Sequence, residues 1–173
     1  MTTMSEIERL LALEEIKLLK ARRDRAVDTK DWDTYLALHA PDHRSHNEGF
    51  EAWNSAEEMI TNVKSLLGPD KISVHHSHTP EITFVSSSKA KGIWAMEDNI
   101  FWQEDGVEHW LNGFGFYHET YEKRGGKWLF TTRQLKRTHI CTSHNSGPGW
   151  AALGSKSQAS DPTPSMSGAE EKS

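Results

Sequence analysis

The sequence predicts an α+β domain, and three observations carry that expectation. Apolar residues recur at helical spacing between about residues 6 and 67. They alternate singly from about residue 71 to 141. Turn residues, Ser86-Ser87-Ser88-Lys89, Glu104-Asp105-Gly106 and Arg124-Gly125-Gly126, cut that second region into long segments. Three helices followed by a meander of antiparallel strands imply a curved sheet wrapped on helices.

The first helix is expected over about residues 6–30. Ser5 and Glu8 form a capping-box pattern ahead of it. Ile7, Leu10, Leu11 and Leu18 are its expected apolar face, and neither Pro nor Gly interrupts it. Arg23, Asp24 and Asp28 fall in its last half, with Asp28 following Ala26 and Val27 near the expected core. A solvated carboxylate at a helix end is the commonest role for such a residue. Asp31 caps a short second helix reaching His39, which Pro41-Asp42 ends. Residues 43–50 read as strand or hairpin. Asn54 or Ser55 caps a third helix whose apolar side is Met59, Ile60, Val63, Leu66 and Leu67, stopped by Gly68-Pro69-Asp70.

Four strands follow, over about 71–85, 90–103, 107–122 and 127–141. On the second of these, Trp94, Met96, Asp98, Ile100 and Trp102 share a face. On the last, Leu129, Thr131, Arg133, Leu135 and Arg137 do. The domain is expected over 1–142. Residues 143–173, rich in Gly, Ser, Pro, Ala and Lys without apolar period, are expected to be a disordered tail.

Composition narrows the function classes. Twenty Lys and Arg against 25 Asp and Glu leave a net charge of −5. That argues against a nucleic-acid or anionic-membrane surface. No apolar run approaches the ~20 residues of a membrane span, and glutamates occupy the N-terminus where a signal peptide would be apolar. A single cysteine, Cys141, fits a reducing compartment, and the expected location is cytoplasmic. Seven Trp and ten His suit a pocket for a hydrophobic small molecule with a few polar anchors.

The polar candidates gather around Val74-His75-His76-Ser77-His78-Thr79-Pro80. Neighbours on a strand point to opposite faces, so His75 and His76 cannot chelate one ion together. No zinc-type helix motif or acidic loop supports them, and no metal or other cofactor is expected. His75 as a base and His75 as a hydrogen-bonded structural residue both remain open on spacing alone. Asp98 stands on an apolar face and must be paired, protonated or functional. With Arg133 and Arg137 it reads as a polar group aimed into an apolar cavity.

Several separated motifs carry a family resemblance. They are His75-His76-Ser77-His78-Thr79-Pro80-Glu81-Ile82, Gly92-Ile93-Trp94-Ala95-Met96-Glu97-Asp98, the run from Gly113 to Glu122, and Gly126-Lys127-Trp128, with Asp28-Thr29-Lys30-Asp31-Trp32-Asp33 upstream. Over about residues 6–140 the chain resembles the SnoaL-like branch of the nuclear-transport-factor-2-like superfamily. The resemblance implies a cone of three N-terminal helices packed in a strongly curved antiparallel sheet with a central pocket. Members include dehydratases, a dehydrochlorinase, isomerases and polyketide cyclases, and non-catalytic binding proteins.

By that resemblance Asp28 and His75 form a catalytic dyad, and Asp98, Arg133 and Arg137 complete the catalytic set. Arg23 departs from the family pattern, which has a Tyr or Lys there; a guanidinium does not titrate near neutrality but stabilises an anion. Arg23, His78, Trp94, Met96, Phe114 and Phe116 are the expected substrate-binding residues. The implied activity is a cofactor-free lyase, most simply a dehydratase, acting on a hydrophobic, ring-containing small molecule. Isomerisation or cyclisation by the same dyad is the alternative, and the implied assembly is a homotrimer or homodimer.

Overall fold

A computed structural model describes residues 4–47 and 51–143. The expected tail over 143–173 lies, apart from Ser143, outside the described residues, as does Phe50. The elements are α1 (Glu6–Asp28), α2 (Trp32–Ala37), β1 (His39–Asn47), α3 (Ala56–Leu66), β2 (Lys71–Ser86), β3 (Lys89–Glu104), β4 (Val107–Arg124) and β5 (Lys127–Thr142). One five-stranded sheet results, in the order β1-β5-β4-β3-β2. Strands β2 to β5 form the expected antiparallel meander.

β1 departs from expectation by running parallel to β5 at the sheet edge. An edge is where Pro41 is tolerated, since proline has no N–H to give a ladder. The register shifts between His39 and Arg44, the stretch that contains Pro41. The tight turns follow their residues: Asp105 and Gly106 have φ of 50° and 77°, and Gly125 and Gly126 have 57° and 80°. Two successive positive φ values close a two-residue hairpin whose twist matches the strands.

Both halves of the Ser5–Glu8 capping box form. The helix stops at Asp28, two residues short of expectation, because Thr29 caps it and Lys30 takes a left-handed φ of 60°. The buried face of α1 is also different from the expected one. Ile7, Leu10, Leu11 and Leu18 are exposed, Ile7 by 71%. Ala12, Ile16, Leu19, Lys20, Arg23, Asp24, Ala26 and Val27 are buried instead. That set is itself a helical stripe. It packs Ala12, Ile16, Leu19, Ala26 and Val27 into the apolar clusters and brings Lys20 Nζ within 2.6 Å of Glu119 Oε1 on the inner face of the sheet. A buried ion pair of that geometry replaces water that neither group could keep.

Two apolar clusters fill the space between helices and sheet. The first joins Val27, Tyr35, Trp53, Met59, Ile100, Trp102 and Leu111. The second joins Ile16, Leu19, Trp94, Met96, Tyr121, Trp128 and Phe130. Each buried side chain of this size stabilises the fold by about 1.5–3 kcal/mol. Along α1, Arg23 and Asp24 separate Leu19 of the second cluster from Ala26 of the first. Along β3, Asp98 separates Met96 from Ile100 in the same way. A polar layer therefore runs between the two apolar ones.

Bulges set which side chains enter that layer. Phe130 pairs with Tyr121 and Thr132 with Thr120, so Thr131 is an extra residue. Arg137 pairs with Gly115 and His139 with Phe114, so Thr138 is another. A bulge absorbs one residue and shifts the alternation. Phe130, Arg133, Leu135 and Ile140 are buried as a result. The expected face of Leu129 and Thr131 with Arg133 is corrected accordingly: both are only partly buried, Leu129 before the first bulge and Thr131 at it.

Candidate active site

Ser73, His75 and Ser77 point inward from β2, whereas His76 and His78 are exposed, their rings 6.4 Å apart. Asp28, the last residue of α1, meets His75 twice. Asp28 Oδ1 is 2.6 Å from His75 Nδ1, and Asp28 Oδ2 accepts the His75 backbone N–H at 2.8 Å. An ionised carboxylate only accepts, so Nδ1 carries the proton and Nε2 keeps its lone pair. His75 lines a cavity whose polar end also presents Arg23, Asn47, Asp98, Tyr117, Arg133 and Arg137. Val27, Trp53, Val63, Leu67, Ile100 and Leu135 form its apolar wall.

Asp98 pairs across the ladder with His75 on one side and Gly113 on the other. Its two oxygens accept from Arg137 Nη1 at 2.9 Å and Nη2 at 2.6 Å. This fork-to-fork geometry fixes both groups. Gly113 makes it possible: a Cβ there would collide with the Arg137 guanidinium and the Asp98 carboxylate. Gly115 serves the bulge, where a Cβ would meet the Lys136 carbonyl.

A second polar group sits beside the first. Arg23 Nη2 donates to the Tyr35 hydroxyl at 2.7 Å, and Nη1 donates to Asp24 Oδ1 at 3.1 Å. Burial works against the Arg23 charge, but Tyr35, Asp24, Tyr117 and Glu119 outweigh it and hold the guanidinium protonated. Ser77 Oγ donates to Asp24 Oδ2 at 2.6 Å. Burial pushes the Asp24 carboxyl up, yet Lys20, Arg23, Ser77 and His75 together hold it below its ordinary value. Burial lowers Lys20 against the pull of Glu119. Arg133 Nη1 donates to Asn47 Oδ1 at 3.1 Å, and its guanidinium lies 4.0 Å from the Tyr117 ring centroid. Lys20 Nζ is also 4.0 Å from that centroid. Cations over an aromatic face are attracted by its quadrupole.

The structure thus brings together Asp28, His75, Asp98, Arg23, Arg133 and Arg137. It does not bring the remaining expected residues to the cavity. Phe114 and Phe116 are on the outer face, 38% and 42% exposed, because the inward file of β4 is Leu111, Gly113, Gly115, Tyr117, Glu119 and Tyr121. His78 faces outward beside His76 for the same reason of parity. Trp94 and Met96 do point inward but are packed in the second cluster, with Trp94 Nε1 donating to the Tyr121 hydroxyl at 2.7 Å.

Sequence reasoning missed Lys20, Asp24, Tyr35, Asn47, Tyr117 and Glu119. One signal was available: Lys20, Arg23, Asp24 and Asp28 recur at steps of three and four, a polar stripe on one helix face. A more open depression of about 730 Å³ is lined by Thr83, Lys91, His118 and Gln134 among others, and neither dyad residue reaches it. Among the described residues no group of three or more His, Cys, Asp or Glu is placed to hold a metal ion. No described helix is long and apolar enough to cross a membrane.

Comparison with known proteins agrees with the fold. A family model described as SnoaL-like domain matches residues 8–134. A scytalone dehydratase-like protein from Novosphingobium aromaticivorans superposes with a TM-score of 0.72 at 18% identity, over 81% of this chain and 93% of that one. The hexachlorocyclohexane dehydrochlorinase LinA-type3 from Novosphingobium barchaimii does so with a TM-score of 0.70 at 19% identity, over 81% and 95%. LinA gives 0.71 at 21% identity, over 84% and 100%.

Proposed function

Since the chain belongs to the SnoaL-like family, we propose that it is a cofactor-free lyase, most simply a dehydratase, acting on a hydrophobic, ring-containing small molecule. The observation that supports this reading is the Asp28–His75 pair at a cavity that also presents the guanidinium groups of Arg23, Arg133 and Arg137. His75 Nε2 removes a proton from a carbon made acidic by a neighbouring carbonyl. The electron pair moves to the carbonyl oxygen, giving an enolate, and Asp28 stabilises the imidazolium. The enolate re-forms the carbonyl, the carbon–carbon double bond forms and the β-carbon–oxygen bond breaks. The departing hydroxide takes the proton back from His75 and leaves as water.

Asp98 takes the paired role among those open to it, and not that of a proton donor to the leaving oxygen. Both its oxygens are taken up by Arg137, the arrangement of a carboxylate and not of a carboxylic acid. Asp98 and Arg137 form a rigid charged wall, and Arg23 and Arg133 stabilise the developing negative charge. A single base that takes and returns one proton also suits isomerisation or cyclisation, which is the second reading. At about 60 Å³ the cavity is narrow, so a ring enters by displacing side chains. We also propose a homodimer or homotrimer, supported by the exposed Val107, Phe114 and Phe116, and a cytoplasmic location, supported by the lone Cys141.

The test is incubation with cyclic β-hydroxy ketones, read by the absorbance of the conjugated product and by mass. A product lighter by one water supports the dehydratase; an isomer of equal mass selects the second reading. Turnover by His75→Ala at the wild-type rate would exclude both.

A further inference from the structure

Tyr117 is buried, with 1% of its surface exposed, and it lines the cavity. Its hydroxyl makes no hydrogen bond to any other described residue. The other two tyrosines differ: Tyr35 accepts from Arg23, and Tyr121 donates to Glu119 and accepts from Trp94. Buried hydroxyls are nearly always partnered, because an unmade hydrogen bond leaves the full desolvation of the group uncompensated. An orphaned hydroxyl on a cavity wall therefore points to something that enters the cavity.

The surroundings say what kind of group that is. Arg133 and Lys20 both lie 4.0 Å from the Tyr117 ring, and Arg23 lies 5.8 Å from it. Three cations face one ring, and the carboxylates near them are already engaged. Glu119 is held by Lys20 and Tyr121, and Asp24 by Arg23 and Ser77. The local field favours negative charge at the end of that ring. Burial pushes the phenol up to about 12, against the opposing pull of Arg133. It stays an O–H donor at neutral pH.

We propose that the Tyr117 hydroxyl, on a ring covered by the Arg133 guanidinium, is the seat for the substrate oxygen on which negative charge develops. This rests on the proton abstraction proposed above and names its substrate class: a carbonyl compound whose enolate oxygen accepts from Tyr117, and not a polyhalogenated or purely hydrocarbon ring. As His75 takes the proton, the electron pair of the broken carbon–hydrogen bond is delocalised onto that oxygen, and no further reactant is needed. Placing a rigid donor where charge appears is the most effective form of electrostatic catalysis.

Binding of two probes to the full chain tests the seat without any turnover. 4-Nitrophenol, followed by the visible absorbance of its phenolate, carries an oxyanion on a flat ring; nitrobenzene is the same ring without it. The wild type is expected to prefer the phenolate by about ten- to hundredfold, the range for one hydrogen bond to a charged group. Tyr117→Phe is expected to remove that preference while leaving nitrobenzene affinity within about twofold. With no protein partner lost, the variant should unfold at the wild-type temperature or above it. His75→Ala should retain the preference.

Equal wild-type affinity for the two probes overturns the proposal with no variant required. So does a Tyr117→Phe that weakens both probes alike, which marks a packing role, or one that weakens neither. A chain that shows the preference but dehydrates no hydroxy ketone keeps the seat and loses the lyase reading.

Discussion

A methyl group at position 113 would occupy the space of the Arg137 guanidinium and the Asp98 carboxylate. Gly113→Ala is therefore expected to destabilise the fold by about 1–3 kcal/mol, as overpacked cores do, and to lower turnover by displacing the charged wall. Denaturant unfolding and steady-state rates on the same preparation check both. Among the dyad residues, His75→Ala is expected to lower kcat by about 10²–10⁴-fold, the usual range for a positioned base. Asp28→Asn should act in the same direction through the imidazole orientation, with KM changed far less than kcat. At this scale the sequence was half legible. Asp28 and His75 were marked by motif, but a facing cannot be read from a motif when a strand carries bulges. Thr131 and Thr138 each move the alternation by one, and nothing in their side chains announces it. Phe114 and Phe116 drew attention by size, while the useful positions beside them were the glycines.

α1 shows how an element can mislead. Its leucines are on the outside, and its inward stripe holds Lys20, Arg23 and Asp24. The expected apolar face was chosen on hydrophobicity, which is the right criterion when the surface opposite is apolar. Here the surface opposite is mixed: Ala12, Ile16 and Leu19 meet apolar side chains of the sheet, and Lys20 meets Glu119, so polar residues belong to the inward stripe as well. The two faces should separate cleanly by mutation. Leu10→Gln and Leu11→Gln are expected within about 0.5 kcal/mol of wild type. Leu19→Ala, buried in the second cluster, is expected to cost about 2–5 kcal/mol. Urea unfolding midpoints measure the contrast. Removing only Lys20 leaves the Glu119 charge buried, so Lys20→Met should cost about 3–5 kcal/mol. Adding Glu119→Gln should recover much of that loss. Strands β2 to β5, by contrast, were legible almost to the residue, because polar turn residues punctuate them and two of the three turns place Gly or Asp at positive φ.

For the molecule as a whole, acid is the condition under which stability should fall first. His39 and His43 are buried with their rings 4.7 Å apart. Burial lowers both, His43 further opposes a charge on His39, Arg23 and Arg133 add to the effect on each, and His43 is held down to about 3. The unfolded chain protonates these rings near pH 6.5. The unfolded state therefore binds protons first, and stability drops as pH falls from about 6.5 toward 3, by about 1.4 kcal/mol per pH unit for each ring still neutral. Asp24 acts in the same direction only below its ordinary range. Unfolding free energies at pH 7 and pH 5 should show the drop, and His43→Gln should flatten it. The fold class was legible as a whole from period and punctuation, whereas the edge strand β1 and its parallel pairing were not, since parallel contacts leave no local turn to read. One contact bears on how such a molecule changes over time. Asp28 grips the backbone N–H of residue 75 as well as its ring, and the backbone grip survives any side chain there except proline. A lineage can therefore discard the proposed reaction by a single substitution and keep a docked helix and an intact cavity. Catalytic and merely ligand-holding descendants of one scaffold then lie a single codon apart.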